Sequence, residues 1–164
     1  MKPNFDIMSK GLWYPITLSL ILFVIILVMP KRLSKQEIYT TFGIIGYIVW
    51  TVDMTLGDPL DFFNVGSGKV TAVPELFLYG IIPGLIAIIF INYYNEDKKW
   101  TYIIAFTLIS YLLNWLAVKV GIMKLNNWQT WYAIPIFFVV YAFVLPWHLK
   151  FIKKKTYWNT KNSH

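Results

Sequence analysis

Between Leu12 and Met29 the chain carries no charged residue, and Ile21-Leu22-Phe23-Val24-Ile25-Ile26-Leu27-Val28 is apolar without interruption. A run of this kind is either a helix that crosses a bilayer or one sealed inside a large core. Four further apolar stretches, at about 38–56, 74–94, 100–120 and 130–149, leave too little polar chain to build such a core around them. Of the 164 residues, 57% are hydrophobic and only 14% charged, where a soluble domain has about a quarter charged. These features predict an all-α, polytopic membrane protein, a single domain over 1–164 with five transmembrane helices, located in the cell (cytoplasmic) membrane. The second stretch is diluted by Thr40, Thr41, Thr51, Thr55 and Asp53, so charge placement has to support it.

With five spans, Lys31, Arg32, Lys35, Lys98, Lys99 and the lysines of the tail 150–164 share one side. That side holds 10 of the 15 basic residues against Glu37, Glu96 and Asp97, and the opposite side is neutral. The positive-inside rule then predicts a cytoplasmic C-terminus and an external N-terminus. Dropping the second span would split the Pro30-Lys31-Arg32 stretch from the lysine tail. The aromatic residues fit the same layout, with Trp13, Tyr14, Trp128, Trp131 and Tyr132 at the outer interface. Tyr39, Tyr93, Tyr94, Trp100, Tyr102 and Trp147 fall at the inner one. The first span is expected to be retained, because Met29-Pro30-Lys31 offers no small-residue cleavage site. The net charge of +7 is thereby an orientation signal and does not call for nucleic acid. Anionic lipid is the expected partner of the tail, beside the bilayer itself and a helix or protein partner, including self-association.

The absence of cysteine excludes disulfides, thiolate catalysis, Cys-ligated metal centres and lipid anchors on sulfur. Chemistry therefore falls to the carboxylates near the outer ends of spans two and three. Asp53 lies inside span two, Asp58 and Asp61 follow in a loop punctuated by Gly57, Pro59, Gly66, Gly68 and Pro74, and Glu75 opens span three. An ionised carboxylate facing lipid is costly, so Asp53 should face protein, water or a cation. Gly46, Trp50 and Asp53 at i, i+4, i+7 share a face, and Gly43 and Gly46 would admit a neighbouring backbone. Glu75, just after Pro74, also suits the positive end of a helix dipole. In span four, Thr107, Ser110 and Asn114 form one polar stripe that Ala117 and Gly121 extend, and Lys119 either snorkels or neutralises the acids. Asp53, Glu75, Asn114 and Lys119 are the candidate intramembrane polar site, with Asp58 and Asp61 as outer-loop acids. Gly80-Ile81-Ile82-Pro83-Gly84 predicts close helix contact and a kink.

Other patterns fail. Gly66-Ser67-Gly68-Lys69 lacks the first glycine of a phosphate loop, with Phe63 in its place, and has Val70 where Ser or Thr belongs. Asp58 and Asp61 lack the alternate spacing of a calcium loop. His148, with no second histidine one turn away, is expected at the interface and not on a metal. No cofactor is implied, and nothing assembles a nucleophile with a base.

The stretch Met29-Pro30-Lys31-Arg32-Leu33-Ser34-Lys35-Gln36-Glu37-Ile38-Tyr39, the Asp53 to Asp61 run, Glu75-Leu76-Phe77-Leu78-Tyr79 followed by Pro83, and Trp128-Gln129-Thr130-Trp131-Tyr132-Ala133-Ile134-Pro135-Ile136 through His148-Leu149-Lys150-Phe151-Ile152 resemble a family of small uncharacterised integral membrane proteins of Bacillus- and Clostridium-type bacteria. The resemblance covers nearly the whole chain and implies no activity. A second likeness is to small membrane lycopene cyclase domains, which pair an acid ending one span with a Pro-x-Glu start of a later one. This chain has Val73-Pro74-Glu75-Leu76 and lacks both their Pro-Trp-Asp element and their paired glutamates. The expected role is structural or interactive and not enzymatic. The alternatives are a small permease, channel subunit or cation- or proton-responsive protein using the outer carboxylates, and, more remotely, an intramembrane enzyme on an apolar substrate.

Overall fold

Ser34 starts a helix by a reciprocal cap. Its Oγ accepts the Glu37 N–H at 3.2 Å, while Glu37 Oε2 accepts the Ser34 N–H at 2.7 Å. The computed structural model of the chain describes residues 5–57, 59–67 and 73–161. Asp58, Gly68 and Lys69 lie outside the described residues, as do the side chains of 154–161, which carry much of the basic tail.

The fold is mostly helical, 76% of it, in five helices. They are α1 (Trp13–Val28), α2 (Lys35–Val52, continued by a π turn at Asp53–Gly57), α3 (Val73–Tyr93), α4 (Glu96–Val120) and α5 (Thr130–Lys153, with its last segment Leu145–Lys161). α3, α4 and α5 are long and apolar enough to cross a membrane. α1 has 16 residues. That is about 24 Å at 1.5 Å per residue, short of a hydrocarbon core of roughly 30 Å. Polar side chains dilute α2.

α3 is the central helix, with 61% of its apolar window buried against 22% for α4 and 28% for α5. Phe90, Ile88 and Ala87 on α3 are almost wholly enclosed, with α1 and α2 packed along its length and Leu145 and Leu149 of α5 on another side. Glycines set the α2–α3 spacing. A Cβ on Gly46 would lie 2.6 Å from the Gly80 carbonyl oxygen, and one on Gly84 would meet the Phe42 side chain at 2.9 Å. The two backbones thus approach through Gly46, Gly80 and Gly84, while Gly43 faces open space.

Prolines explain the breaks in the α-helical pattern of α3 and α5. Pro83 has no N–H for the Tyr79 carbonyl, and the turn before it shifts to i−5 pairing, with Ile82 N–H bonded to Phe77 O. Pro146 does the same to the Ala142 carbonyl, and Leu145 N–H bonds to Val140 O. The π turns Leu76–Ile81 and Val140–Val144 are the result.

Between the helices lies a feature that the sequence reading did not foresee. β1 (Phe63–Val65) pairs antiparallel with β2 (Met123–Leu125), in the register Phe63↔Leu125, Asn64↔Lys124, Val65↔Met123. The α2–α3 and α4–α5 connections are therefore clasped together at one end of the bundle. Gly121, at φ +82, turns the chain out of α4 into β2, where a side chain would be strained.

Candidate functional site

The polar stripe of α4 turns inward. Thr107, Ser110 and Ala117 are buried and Asn114 is half-buried. Ser110 Oγ and Tyr141 OH share a hydrogen bond of 2.6 Å that ties α4 to α5, and Tyr14 OH donates to the Leu113 carbonyl at 2.7 Å, tying α1 to α4. Around these contacts the helices leave a cavity of about 300 Å³ to which all five contribute, among others through Tyr14, Ile48, Tyr79, Asn114 and Tyr141. Both proline-associated π turns form part of its wall, through Leu78 and Tyr79 on one side and Val140 and Tyr141 on the other. π turns often mark functional positions, since the extra residue per turn widens the helix.

Of the four residues expected to make an intramembrane site, Asn114 alone lines this cavity. Asp53 is half-buried where the π turn of α2 begins, and Glu75 is buried in the first turn of α3, but neither borders the cavity. Lys119 is exposed, with its ammonium 5.3 Å from the centre of the Trp115 ring, and does not pair with either acid. Asp61 sits at φ +48 and accepts a hydrogen bond from Asn126 Nδ2 at 2.7 Å, which adds a side-chain tie to the clasp. Among the described residues no group of three or more His, Asp or Glu side chains gathers to hold a metal.

His148 departs from expectation. It is buried, and its Nε2 lies 3.1 Å from Thr41 Oγ1, itself fully enclosed, so the pair staples α5 to α2 instead of facing an interface. Thr41, counted in the sequence as a polar dilution of α2, is the reason His148 can be buried. Two other polar residues had no sequence signal. Asn92, 2% exposed, donates from Nδ2 to the Pro30 carbonyl at 3.0 Å and accepts the Arg32 N–H at 2.9 Å, which fixes the α1–α2 loop. Asp6 accepts the Ser67 N–H at 2.7 Å and so binds the N-terminal segment to the turn after β1. Burial pushes the Asp6 carboxyl up, but hydrogen bonds from Ser9 and Ser67 outweigh it and hold the group below the usual carboxylate range.

The fold is thus a helical bundle with three helices able to cross a membrane by length and composition. No protein family, curated protein or solved structure matches the chain.

Proposed function

We propose that the protein is a five-span component of the cell membrane, N-terminus outside and C-terminus cytoplasmic, that acts through contacts with lipid and other helices. The carrying observation is the apolar exterior of α4 and α5. Leu108, Leu112, Phe143 and Trp147 are each more than half exposed, on helices whose apolar windows are only 22% and 28% buried. An apolar surface this continuous needs lipid or partner helices to cover it. The inward polar groups, Ser110 with Tyr141, Thr41 with His148 and Tyr14 with Leu113, bond to one another and serve as staples between helices. A groove of about 560 Å³ between α1, α2 and α3, apolar along its length with Lys35 and Tyr39 in its wall, suits an acyl chain below an anionic headgroup. The kinship with small Bacillus- and Clostridium-type membrane proteins belongs to this reading. A carboxylate-based cation or proton site remains the second reading, on Asp53 and Glu75, which lie outside the 300 Å³ cavity between the five helices.

Reporter fusions test the arrangement. Fusions at Lys98 and after His164 are expected to report cytoplasm, and an insertion at Lys124 the exterior. An external tail would overturn the orientation, and Lys98 and Lys124 on one side would overturn the five spans. Loss of phenotype in Asp53→Asn would restore the carboxylate site.

A further inference from the structure

We propose that the cavity between the five helices binds a neutral, membrane-dissolved amphiphile, an apolar chain ending in one hydroxyl or carbonyl oxygen, which enters sideways between α2 and α5. The proposal goes beyond the lipid-contact role and rests on the bilayer placement given above. α2 and α5 are stapled by Thr41 and His148, 3.1 Å apart, and both helices extend from there to the strand-bearing end of the bundle. There Ile48 and Val52 of α2 and Ile136 of α5 line the cavity while remaining 41%, 50% and 49% exposed. Side chains that touch both the cavity and the outer surface mark its rim. The rim lies on the apolar flank of the bundle, so the natural source of a ligand is the hydrocarbon layer.

Size and chemistry narrow the occupant. An apolar cavity of about 150 Å³ accommodates benzene. On that scale the 300 Å³ here takes about 12 non-hydrogen atoms, and a longer chain can trail out through the rim. Among the described lining residues there is no carboxylate, ammonium or imidazole, and an ion brought into such walls would lose its hydration without compensation. The site therefore selects neutral molecules. Its hydroxyl groups at Ser110 and Tyr141 bond to each other, and Tyr14 OH is committed to Leu113 O. Asn114 differs: its amide borders the cavity and makes no hydrogen bond to a described residue. An alcohol or ketone oxygen satisfies the amide N–H, and an alkane of the same length leaves it unmet.

The test uses the full chain in lipid nanodiscs and radiolabelled decan-1-ol, with uptake by empty discs subtracted. Incorporation into discs is scored first by co-purification, so a failure of the bilayer placement is seen separately from a failure to bind. The expected result is saturable uptake near one molecule per chain. Unlabelled decan-1-ol should displace it about tenfold more effectively than decane, the difference one net hydrogen bond makes, and decanoate should not displace it. Asn114→Leu should keep saturable uptake and erase the alcohol-over-alkane preference. Ile136→Trp at the rim should block uptake, while Phe143→Trp, exposed on the same helix and away from the cavity, should not. Uptake that rises linearly, displacement by decanoate, an intact preference in Asn114→Leu or identical behaviour of the two tryptophan variants would each overturn the proposal.

Discussion

Asn92 and Asp6 work at opposite ends of the bundle by one device, a side chain that completes the hydrogen bonds of a distant loop backbone. Asn92 makes both of its bonds from a site 2% exposed, so Asn92→Leu takes away the part-buried partner of the Pro30 carbonyl and the Arg32 N–H. The expected cost is about 1–3 kcal/mol, read as a lower unfolding midpoint in detergent. Asp6 carries a pH dependence. Because its folded pKa lies below the ordinary value, its contribution is fully present above the unfolded pKa of about 4 and is lost as pH falls through the lower folded value. The wild-type melting temperature should therefore drop more steeply than that of Asp6→Asn below about pH 4, with the variant the less stable of the two at pH 6. Neither role could be read from the sequence. An Asn at the end of an apolar run and an Asp near the start of the chain look like ordinary polar residues, and their partners lie 60 and 61 positions away. Asn114 was legible, since its place on the stripe with Ser110 and Thr107 put it inside the bundle, against the cavity that Asp53 and Glu75 do not line.

At the level of elements, the apolar runs predict the helices to within a few residues, apart from the end of α5, which runs on to Lys161, because a bilayer-length helix needs a long signal that turns and caps barely interrupt. The Gly80 to Gly84 spacing announces the close approach to α2, and Gly46 supplies the matching surface, but Gly43, one turn earlier on α2, is exposed and faces open space. Gly46→Ala should accordingly push α2 from α3 at a cost of about 1–3 kcal/mol, while Gly43→Ala should leave the unfolding midpoint unchanged or slightly raised. The π turn before Pro83 was legible only as a kink, and the one before Pro146 had no reading in the sequence. Pro83 and Pro146 remove a donor, but whether the chain answers with a bend, a water or i−5 pairing is decided by the neighbouring helices. The three-residue strands carry no readable period, and their pairing depends on bringing Asn64 beside Lys124.

For the whole molecule, that pairing offers a direct measurement. The chain has no cysteine, so Asn64→Cys with Lys124→Cys introduces a single defined pair at directly opposed, exposed positions. Opposed residues of an antiparallel pair lie about 4.5–5.5 Å apart between Cα atoms, within disulfide reach. The double variant, purified in detergent, should oxidise in air and run as a compact species on a non-reducing gel. The same exchange at Asn64 and Lys98 should not. The clasp also bears on the order in which the molecule is made. A ribosome delivers the first three helices well before residue 123 emerges, and until then β1 and the turn held by Asp6 have no strand to join. In the membrane placement proposed above, the early helices wait as a half-closed assembly, and synthesis of β2 is the event that locks them. A stop codon placed after Gly121 would leave a chain that inserts but stays sensitive to external protease at Phe62 and Phe63, whereas one placed after Asn127 would already be protected there.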